Sequence, residues 1–235
     1  MRIQQCGVVV IALLTGLFVA HTATAALTLT ENGEIPIANG TNVLAAMAIN
    51  DSPGSSDLTL IIQIEIGGDI VLDEDHECFA IMPTENIPDD GDPAGWTAPN
   101  FDDGDWDKGE YGIGYGDGDD NTEIGDGDNA AVYMIGSFSA GDSAGSLMVG
   151  VDYDDGCVVL INGVEVARTA GADIGDMVDF DSWTDQGSGQ SHEASKTDPP
   201  TYETVEAPVK IVGSILAVEA ADRLVTTWGD IRRRY

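Results

Sequence analysis

Residues 157–166 read CVVLINGVEV, and this stretch is the clearest sign of β structure in the chain. Apolar, mostly β-branched runs lie on both sides of Asn162 and Gly163. Asn-Gly favours the positive backbone angles that a tight turn between two antiparallel strands requires. The stretch therefore predicts a β-hairpin whose turn is formed by these two residues.

The rest of the chain repeats this pattern of short apolar runs separated by turn residues. Two further examples are residues 58–64 (LTLIIQI) and 131–135 (AVYMI), and clusters of Gly, Asp and Asn alternate with these runs. Such runs are typical of strands, whereas helical periodicity is not sustained. Many short strands with Gly-rich connections predict an all-β sandwich or barrel.

The N-terminus has the three parts of a secretory signal peptide. Arg2 gives a positive start, residues 8–20 (VVVIALLTGLFVA) are apolar, and Ala23-Thr24-Ala25 supplies the small-x-small cleavage pattern. We therefore expect cleavage after Ala25 and a secreted, extracellular mature chain. The apolar run is shorter than the roughly 20 residues that span a bilayer, and no later segment is long enough. The mature chain is thus expected to have no membrane span.

Acidic residues dominate the charge of the chain. It has 42 Asp and Glu residues against 9 Lys and Arg residues, which gives a formal net charge of −33. This charge disfavours contact with nucleic acid or anionic lipid. Cations, neutral sugars and basic surfaces are the partners that it suits. The acidity is equally explained by hydration of an extracellular protein, and the two explanations are compatible.

The cysteines and histidines say little about function. Cleavage after Ala25 would leave Cys78 and Cys157, which could form one disulfide in an oxidising compartment or remain two buried thiols. Neither their spacing nor the two remaining histidines, His76 and His192, fits a zinc site.

Three stretches carry a resemblance to a known family. They are Gly95–Ile124 (GWTAPNFDDGDWDKGEYGIGYGDGDDNTEI), Ala131–Ala140 (AVYMIGSFSA) and Leu147–Thr169 (LMVGVDYDDGCVVLINGVEVART). Together they resemble a jelly-roll module of the galactose-binding-like superfamily, which occurs in large secreted bacterial proteins. The resemblance implies a jelly-roll β-sandwich, a secreted setting, and binding of carbohydrate or of a cell or matrix surface. The fold itself does not determine the ligand.

The resemblance also suggests how the chain is organised. Residues 37–60 and 211–224 share the order Gly, then Leu-Ala, then a second apolar step, which suggests a partial internal repeat. We expect a signal peptide at 1–25, the C-terminal end of a preceding module at 26–68, the sandwich at 69–222 and a tail at 223–235. On this interpretation the chain resembles a fragment or rearranged module, and strand 58–66 would take the place of a missing final strand.

The candidate ligand-binding residues surround the turn before the hairpin. Asp154 and Asp155 precede a glycine, an arrangement that suits sugar hydroxyls or a hard cation. Asn162 and Trp183 complete the proposed site, with the indole ring available for stacking on a sugar. Alternatively, Asp154 and Asp155 only stabilise a β-turn with their side chains.

A second acidic loop, residues 117–128, is the candidate metal site. Alternating acidic and glycine residues there offer carboxylate oxygens, the ligands that Ca²⁺ prefers. Thr122 stands where the helix-loop-helix calcium pattern needs glycine, so that pattern is rejected. Two interpretations remain: a calcium site without this pattern, or an acidic loop that is only solvated. The candidate metal ligands are Asp117, Asp119, Asp120, Asp126 and Asp128.

Aromatic residues in the first of the three stretches are expected to pack as a small second core rather than to stack on sugars. They are Trp96, Phe101, Trp106, Tyr111 and Tyr115.

The expected function is therefore non-catalytic binding of carbohydrate or of an extracellular surface, with calcium as the one cofactor that the acidic loops suit. No His-Glu-x-x-His pattern and no phosphate-binding glycine loop with lysine is present. One alternative is a structural spacer or adhesion unit of an extracellular assembly without a small ligand. A second alternative is a fragment of a secreted hydrolase.

Overall fold

The structure is a computed structural model that describes residues 27–30, 33–88, 94–116, 118–125, 127–141, 145–169, 179–184 and 192–213. The predicted signal peptide at 1–25 and the tail at 223–235 lie outside these residues, as does most of the C-terminal half of the suggested repeat.

Fourteen strands and one short 3₁₀ helix make up the described part of the chain, so the all-β prediction is confirmed. The strands are β1 (Leu27–Leu29), β2 (Ile35–Ala38), β3 (Gly40–Ile49), β4 (Leu58–Ile66), β5 (Asp69–Leu72), β6 (Glu77–Ile81), β7 (Asp107–Glu110), β8 (Ile113–Tyr115), β9 (Thr122–Glu123), β10 (Ala131–Ala140), β11 (Ser146–Tyr153), β12 (Gly156–Ile161), β13 (Val164–Thr169) and β14 (Glu203–Val212). The 3₁₀ helix, Gly95–Thr97, lies between β6 and β7.

These strands form two sheets that pack face to face as a β-sandwich. The first sheet has the order β1-β13-β12-β3-β10-β6-β7 and is antiparallel throughout. The second has the order β2-β14-β11-β4-β8-β9, with β5 paired to β4. It is mixed, because β2 runs parallel to β14 and β8 runs parallel to β9.

The segment before residue 69 supplies interior strands to both sheets. β3 pairs with β10 over ten positions and with β12 on its other side. β4 pairs with β11 on one side and with β5 and β8 on the other. Residues on both sides of position 68 therefore build the same two sheets, and strand 58–66 lies inside its sheet rather than at an edge.

The predicted hairpin is confirmed. β12 and β13 are antiparallel, and the two turn residues have positive φ angles of 54° at Asn162 and 78° at Gly163. Asn and Gly tolerate this conformation better than other residues. The local sequence is therefore sufficient to place the turn.

The main core lies between the sheets and is built from alternate residues of the paired strands. Tyr111 is completely buried in it beside Gly136 of β10. A Cβ atom at Gly136 would lie 2.6 Å from the Tyr111 hydroxyl oxygen, so this glycine makes the room that the tyrosine ring occupies. No hydrogen-bond partner of that hydroxyl is seen among the described residues.

A second core covers the outer face of the first sheet. Trp96, on the 3₁₀ helix, stacks on Tyr133 of β10 with ring centroids 4.3 Å apart. Trp106 packs against Trp96 and Phe101. Packing in a second core is thus confirmed for Trp96 and Trp106, with Phe101 half-buried against them. Tyr111 instead lies in the main core, and Tyr115 is half-buried against that core.

Cys78 and Cys157 are free thiols on strands of the same sheet. Two strands, β3 and β10, separate β12 with Cys157 from β6 with Cys78. Three strand spacings amount to about 14 Å, well beyond the roughly 7 Å that a disulfide spans between Cα atoms. Burial raises the pKa of the Cys78 thiol to about 12, and nearby Glu110 and Glu77 act in the same direction.

Among the described residues, no helix is long and apolar enough to cross a membrane.

Candidate functional site

Three acidic segments meet at one end of the sandwich, and we call this end the acidic end. It comprises the β3–β4 loop (residues 50–57), the turn between β11 and β12 (residues 154–155) and the segment 192–202 before β14. Backbone hydrogen bonds hold the turn against the other parts: the amide of Asp154 donates to Thr59 O at 2.8 Å, and that of Asp155 donates to His192 O at 2.8 Å.

The turn itself is tight and buried. Asp155 has a φ of 60°, a left-handed conformation that Asp adopts more readily than most residues. Its Oδ2 accepts a hydrogen bond from the amide of Asp51 at 2.9 Å, which ties the turn to the β3–β4 loop. One carboxylate oxygen of Asp155 is therefore engaged in a contact between the turn and the neighbouring loop.

The other aspartate of the turn belongs to a cluster of carboxylates. Oxygens of Asp57, Asp154 and Glu193 lie within 4.8 Å of one another, and we call these residues the carboxylate triad. Asp154 is buried, Asp57 is half-buried and Glu193 is exposed, so the cluster opens to solvent on one side. It is the one group of three or more such side chains in the described part of the chain that could hold a metal ion.

One cation lies next to the triad. Lys196 Nζ is 3.4 Å from Glu193 Oε2, and both side chains are exposed to solvent. An exposed pair of this kind contributes little to stability because water and salt screen it. Lys196 therefore offsets only part of the negative charge of the triad.

The predicted acidic loop lies beside the triad. Asp119 and Asp120 each place Oδ1 within hydrogen-bond distance of the Thr59 hydroxyl, at 3.0 and 2.9 Å. Asp128 is exposed, and Asp117 and Asp126 lie outside the described residues. Two of the five predicted metal ligands thus converge on Thr59, whose carbonyl also accepts the amide of Asp154.

Asn162 is not brought together with Asp154 and Asp155. It follows the far end of β12, a separation of about 20 Å at the rise of an extended strand. Its side-chain amide makes hydrogen bonds there. Oδ1 accepts one from the Val43 amide at 3.0 Å, and Nδ2 donates to Pro36 O and to Asn42 Oδ1. The amide thus has a structural role in joining β2, β3 and the hairpin.

Trp183 lies at the acidic end. The amide of the next residue, Thr184, donates to Asn50 O at 2.9 Å, and Thr184 packs beside Gly156. Trp183 itself is half-buried rather than exposed. Three of the four predicted ligand-binding residues, Asp154, Asp155 and Trp183, are therefore on the same end of the molecule.

Asn50 connects the surrounding loops. It is completely buried, and its Nδ2 donates to Asn129 O at 2.6 Å and to the Tyr115 hydroxyl at 3.1 Å. Burial raises the pKa of Tyr115; hydrogen bonding with Asn50 and Ser55 opposes this shift, whereas the charges of nearby carboxylates add to it.

His192 is held by its own contacts rather than by a metal cluster. Its ring stacks on Tyr153 with centroids 4.0 Å apart. Nδ1 lies 2.8 Å from Tyr153 O and Nε2 lies 3.3 Å from Glu203 Oε1. Both ring nitrogens of His192 therefore have a protein partner. Burial raises the pKa of the neighbouring Tyr153 above its usual range.

A further carboxylate of this region anchors the segment 192–202. Asp152 Oδ1 accepts the amide of Ser195 at 2.8 Å, and Oδ2 accepts the Ser195 hydroxyl. This contact holds the segment that carries Glu193 and Lys196 against β11. Asp152 thus positions one ligand of the triad.

Sequence reasoning missed Asp57 and Glu193. Asp57 directly precedes strand β4 and belongs to no recognised metal-binding motif. Glu193 lies in a polar segment without any motif. Their proximity depends on three loops that meet only in the folded chain.

Sequence reasoning also missed the Gly-x-Ser-x-Gly pattern at residues 141–145 (GDSAG). A nucleophile elbow places this pattern on a turn from a strand into a helix. Here it lies between two strands, β10 and β11, and residues 142–144 are outside the described part.

Comparison with protein-family models, with curated proteins and with solved structures finds no match to this chain.

Proposed function

We propose that this protein is a secreted, non-catalytic binding module of the jelly-roll, galactose-binding-like type. In this proposal Ca²⁺ binds the carboxylate triad and shapes a site for a carbohydrate or an extracellular surface. The observation that carries the proposal is the convergence of Asp57, Asp154 and Glu193 from three separate segments.

The spacing of the triad fits Ca²⁺. Oxygens that share one Ca²⁺ at roughly 2.3–2.6 Å can be at most about 5 Å apart. The three carboxylates meet this limit, because their oxygens lie within 4.8 Å of one another. Carboxylate oxygens are also the ligands that Ca²⁺ prefers, and its flexible geometry accepts water in the remaining positions.

Electrostatics favours a cation at this place. Two unit charges about 4.8 Å apart repel by about 1 kcal/mol in bulk water and by about 3 kcal/mol at an effective dielectric constant near 20. Asp154 is buried, so its charge is screened less than that of a surface carboxylate. A divalent ion would replace this repulsion with attraction.

A neutral glycan is the ligand class that suits the neighbouring surface. The net charge of −33 disfavours anionic polymers, whereas sugar hydroxyls can donate to carboxylates and bind Ca²⁺ directly. Trp183 is half-buried at the same end and offers an indole ring for stacking. Asn162 has no part in this proposal because it lies at the opposite end of β12.

A structural role for the acidic end is the second candidate. Asp119, Asp120, Asp152 and Asp155 all have carboxylate oxygens within hydrogen-bond distance of a separate loop or strand. In a spacer or adhesion unit, Ca²⁺ would stiffen these loops and no small ligand would bind.

Glycan-array binding in Ca²⁺ and in excess EDTA separates the two candidates. The binding module predicts a defined sugar signal that is lost in EDTA and in Asp154→Asn, but kept in Asp69→Asn. Asp69 is an exposed carboxylate on β5 and serves as the control. A blank array together with a Ca²⁺-dependent rise in Tm would favour the spacer.

A further inference from the structure

A groove of about 580 Å³ crosses the outer face of the first sheet, away from the triad. Its volume is in the range of roughly 300–1,000 Å³ that is typical of small-ligand sites. Residues of β3, β6 and β10 form its floor, and the segment 98–103 forms one wall. Nothing proposed for the acidic end involves this surface.

The floor of the groove is largely apolar. Ile135 of β10 is paired with Phe79 of β6, and Ser137 is paired with Val43 of β3, so the four side chains lie on adjacent rows of the same face. Phe101 adds an aromatic ring to the wall, held in place by Trp106 at a centroid distance of 5.5 Å. A ligand in the groove would therefore place an apolar stem against Val43, Ile135 and Phe79.

The rim of the groove is negatively charged. Asp75, Glu77 and Asp103 line it, and no lysine or arginine is among its described lining residues. Lys108, on the adjacent edge strand β7, pairs with Glu77 at 2.5 Å and offsets one of these charges. Asp75 and Asp103 remain to attract a cationic group.

We propose that this groove binds an arginine side chain of a partner protein. An arginine has an apolar stem that suits the floor and a planar guanidinium that suits carboxylates and aromatic rings. Phe79 and Phe101 supply the rings, and Asp103 and Asp75 supply the carboxylates. Charge complementarity with the chain, whose net charge is −33, brings a basic partner toward this surface.

The groove is independent of the proposed calcium site. Ile135 lies four residues along β10 from Ala131, and Asn50 at the acidic end is adjacent to Ala130. Four residues of extended strand span about 13 Å. Binding in the groove is therefore expected in EDTA, and its failure would leave the proposal for the triad unaffected.

The test uses two blocked peptides, acetyl-Gly-Arg-Gly-amide and its citrulline counterpart, titrated in EDTA and followed by amide chemical shifts. Citrulline keeps the shape of arginine and removes its charge. We expect saturable binding of the arginine peptide with shifts at 98–103 and 135–137, and about tenfold weaker binding of the citrulline peptide, or 1.4 kcal/mol. Added salt should weaken the binding.

Variants test whether the arginine peptide binds in the groove. Asp103→Asn should weaken the arginine peptide about fivefold, and Ser137→Trp, at an exposed position, should block the groove without disturbing the core. Asp69→Asn, on the other sheet, should have no effect. Equal binding of the two peptides, absence of saturable binding, or binding undiminished by Ser137→Trp in a protein of unchanged Tm would overturn the proposal.

Discussion

The backbone amide of Asp154 donates a hydrogen bond to the carbonyl oxygen of Thr59, 2.8 Å away. This bond fixes the turn between β11 and β12 against the start of β4. The hydroxyl of the same threonine lies within 3.0 Å of carboxylate oxygens of both Asp119 and Asp120. Thr59 thus joins the carboxylate triad to the acidic loop.

Removal of the Thr59 hydroxyl should loosen the acidic loop. Thr59→Val keeps the shape of the side chain but leaves Asp119 and Asp120 without its proton, so we expect the free energy of unfolding to fall by about 1–3 kcal/mol. Chemical denaturation measures the change. Thr59→Ser keeps a hydroxyl and should retain most of the stability; an equal loss in both variants would contradict the role assigned to the hydroxyl.

Asn162 should matter for stability and not for binding. Asn162→Ala removes hydrogen bonds to β2 and β3 and places alanine at positive φ, so we expect a loss of about 2–4 kcal/mol in the free energy of unfolding. Asn162→Gly keeps the turn conformation and should lose less. Any glycan affinity should be unchanged in the folded Asn162→Gly variant, and a loss of affinity there would return Asn162 to the ligand site.

Gly136 and Tyr111 should be coupled. Gly136→Ala brings a methyl group against the tyrosine hydroxyl, and overpacking of this kind costs about 1–3 kcal/mol. Tyr111→Phe removes a buried hydroxyl and should be close to neutral on its own. Unfolding measurements on the double variant should show partial rescue, whereas additive effects would mean that the two residues do not compete for the same space.

The thiol of Cys78 should be unreactive in the folded protein and should make stability fall at high pH. Its pKa is raised from about 9 in the unfolded chain to about 12 by burial. The folded state therefore keeps a proton that the unfolded state loses between these values. The stabilisation is complete below pH 9 and decreases by up to about 1.4 kcal/mol per pH unit above it.

Two measurements check this prediction. An aromatic disulfide reagent at pH 8 should label Cys78 and Cys157 only after denaturant is added. Denaturation curves between pH 8 and 11 should show a smaller dependence on pH in Cys78→Ala than in the natural chain. Rapid labelling of either thiol under native conditions would contradict the buried positions of both.

The sequence predicts the parts of the fold that depend on local structure. The Asn162–Gly163 turn and the strands on either side follow from neighbouring residues alone, and the aromatic residues around Trp96 are correctly expected to pack. The position of strand 58–66 inside its sheet does not follow, because pairing with β11 depends on residues about ninety positions away.

The candidate site could be predicted only in part for the same reason. Asp154 and Asp155 are visible as a carboxylate pair before a glycine, but Asp57 and Glu193 join Asp154 only when three loops meet. Asn162 is close to Asp155 in sequence and far from it in space, because an extended strand separates them. Residues that are close in sequence therefore need not belong to the same site when an extended strand lies between them.

Lys196 should compete with the bound ion. Lys196→Met removes the cation that pairs with Glu193, and we expect about a two- to threefold higher Ca²⁺ affinity at low salt. The gain should shrink as ionic strength rises. Isothermal titration at two salt concentrations measures it, and unchanged affinity at low salt would show that Lys196 does not act on the site.

Calorimetric titration of Ca²⁺ into the natural protein and into the Asp57→Asn/Glu193→Gln double variant tests the proposed calcium site most directly, with Asp69→Asn as the charge control. We expect one ion per chain, with a dissociation constant on the order of 10⁻⁴–10⁻³ M, as in extracellular modules. We also expect at least about a tenfold loss of affinity in the double variant, because the one carboxylate that remains, Asp154, cannot replace three. No saturable binding, or equal affinity in a folded double variant, would contradict the proposed calcium site.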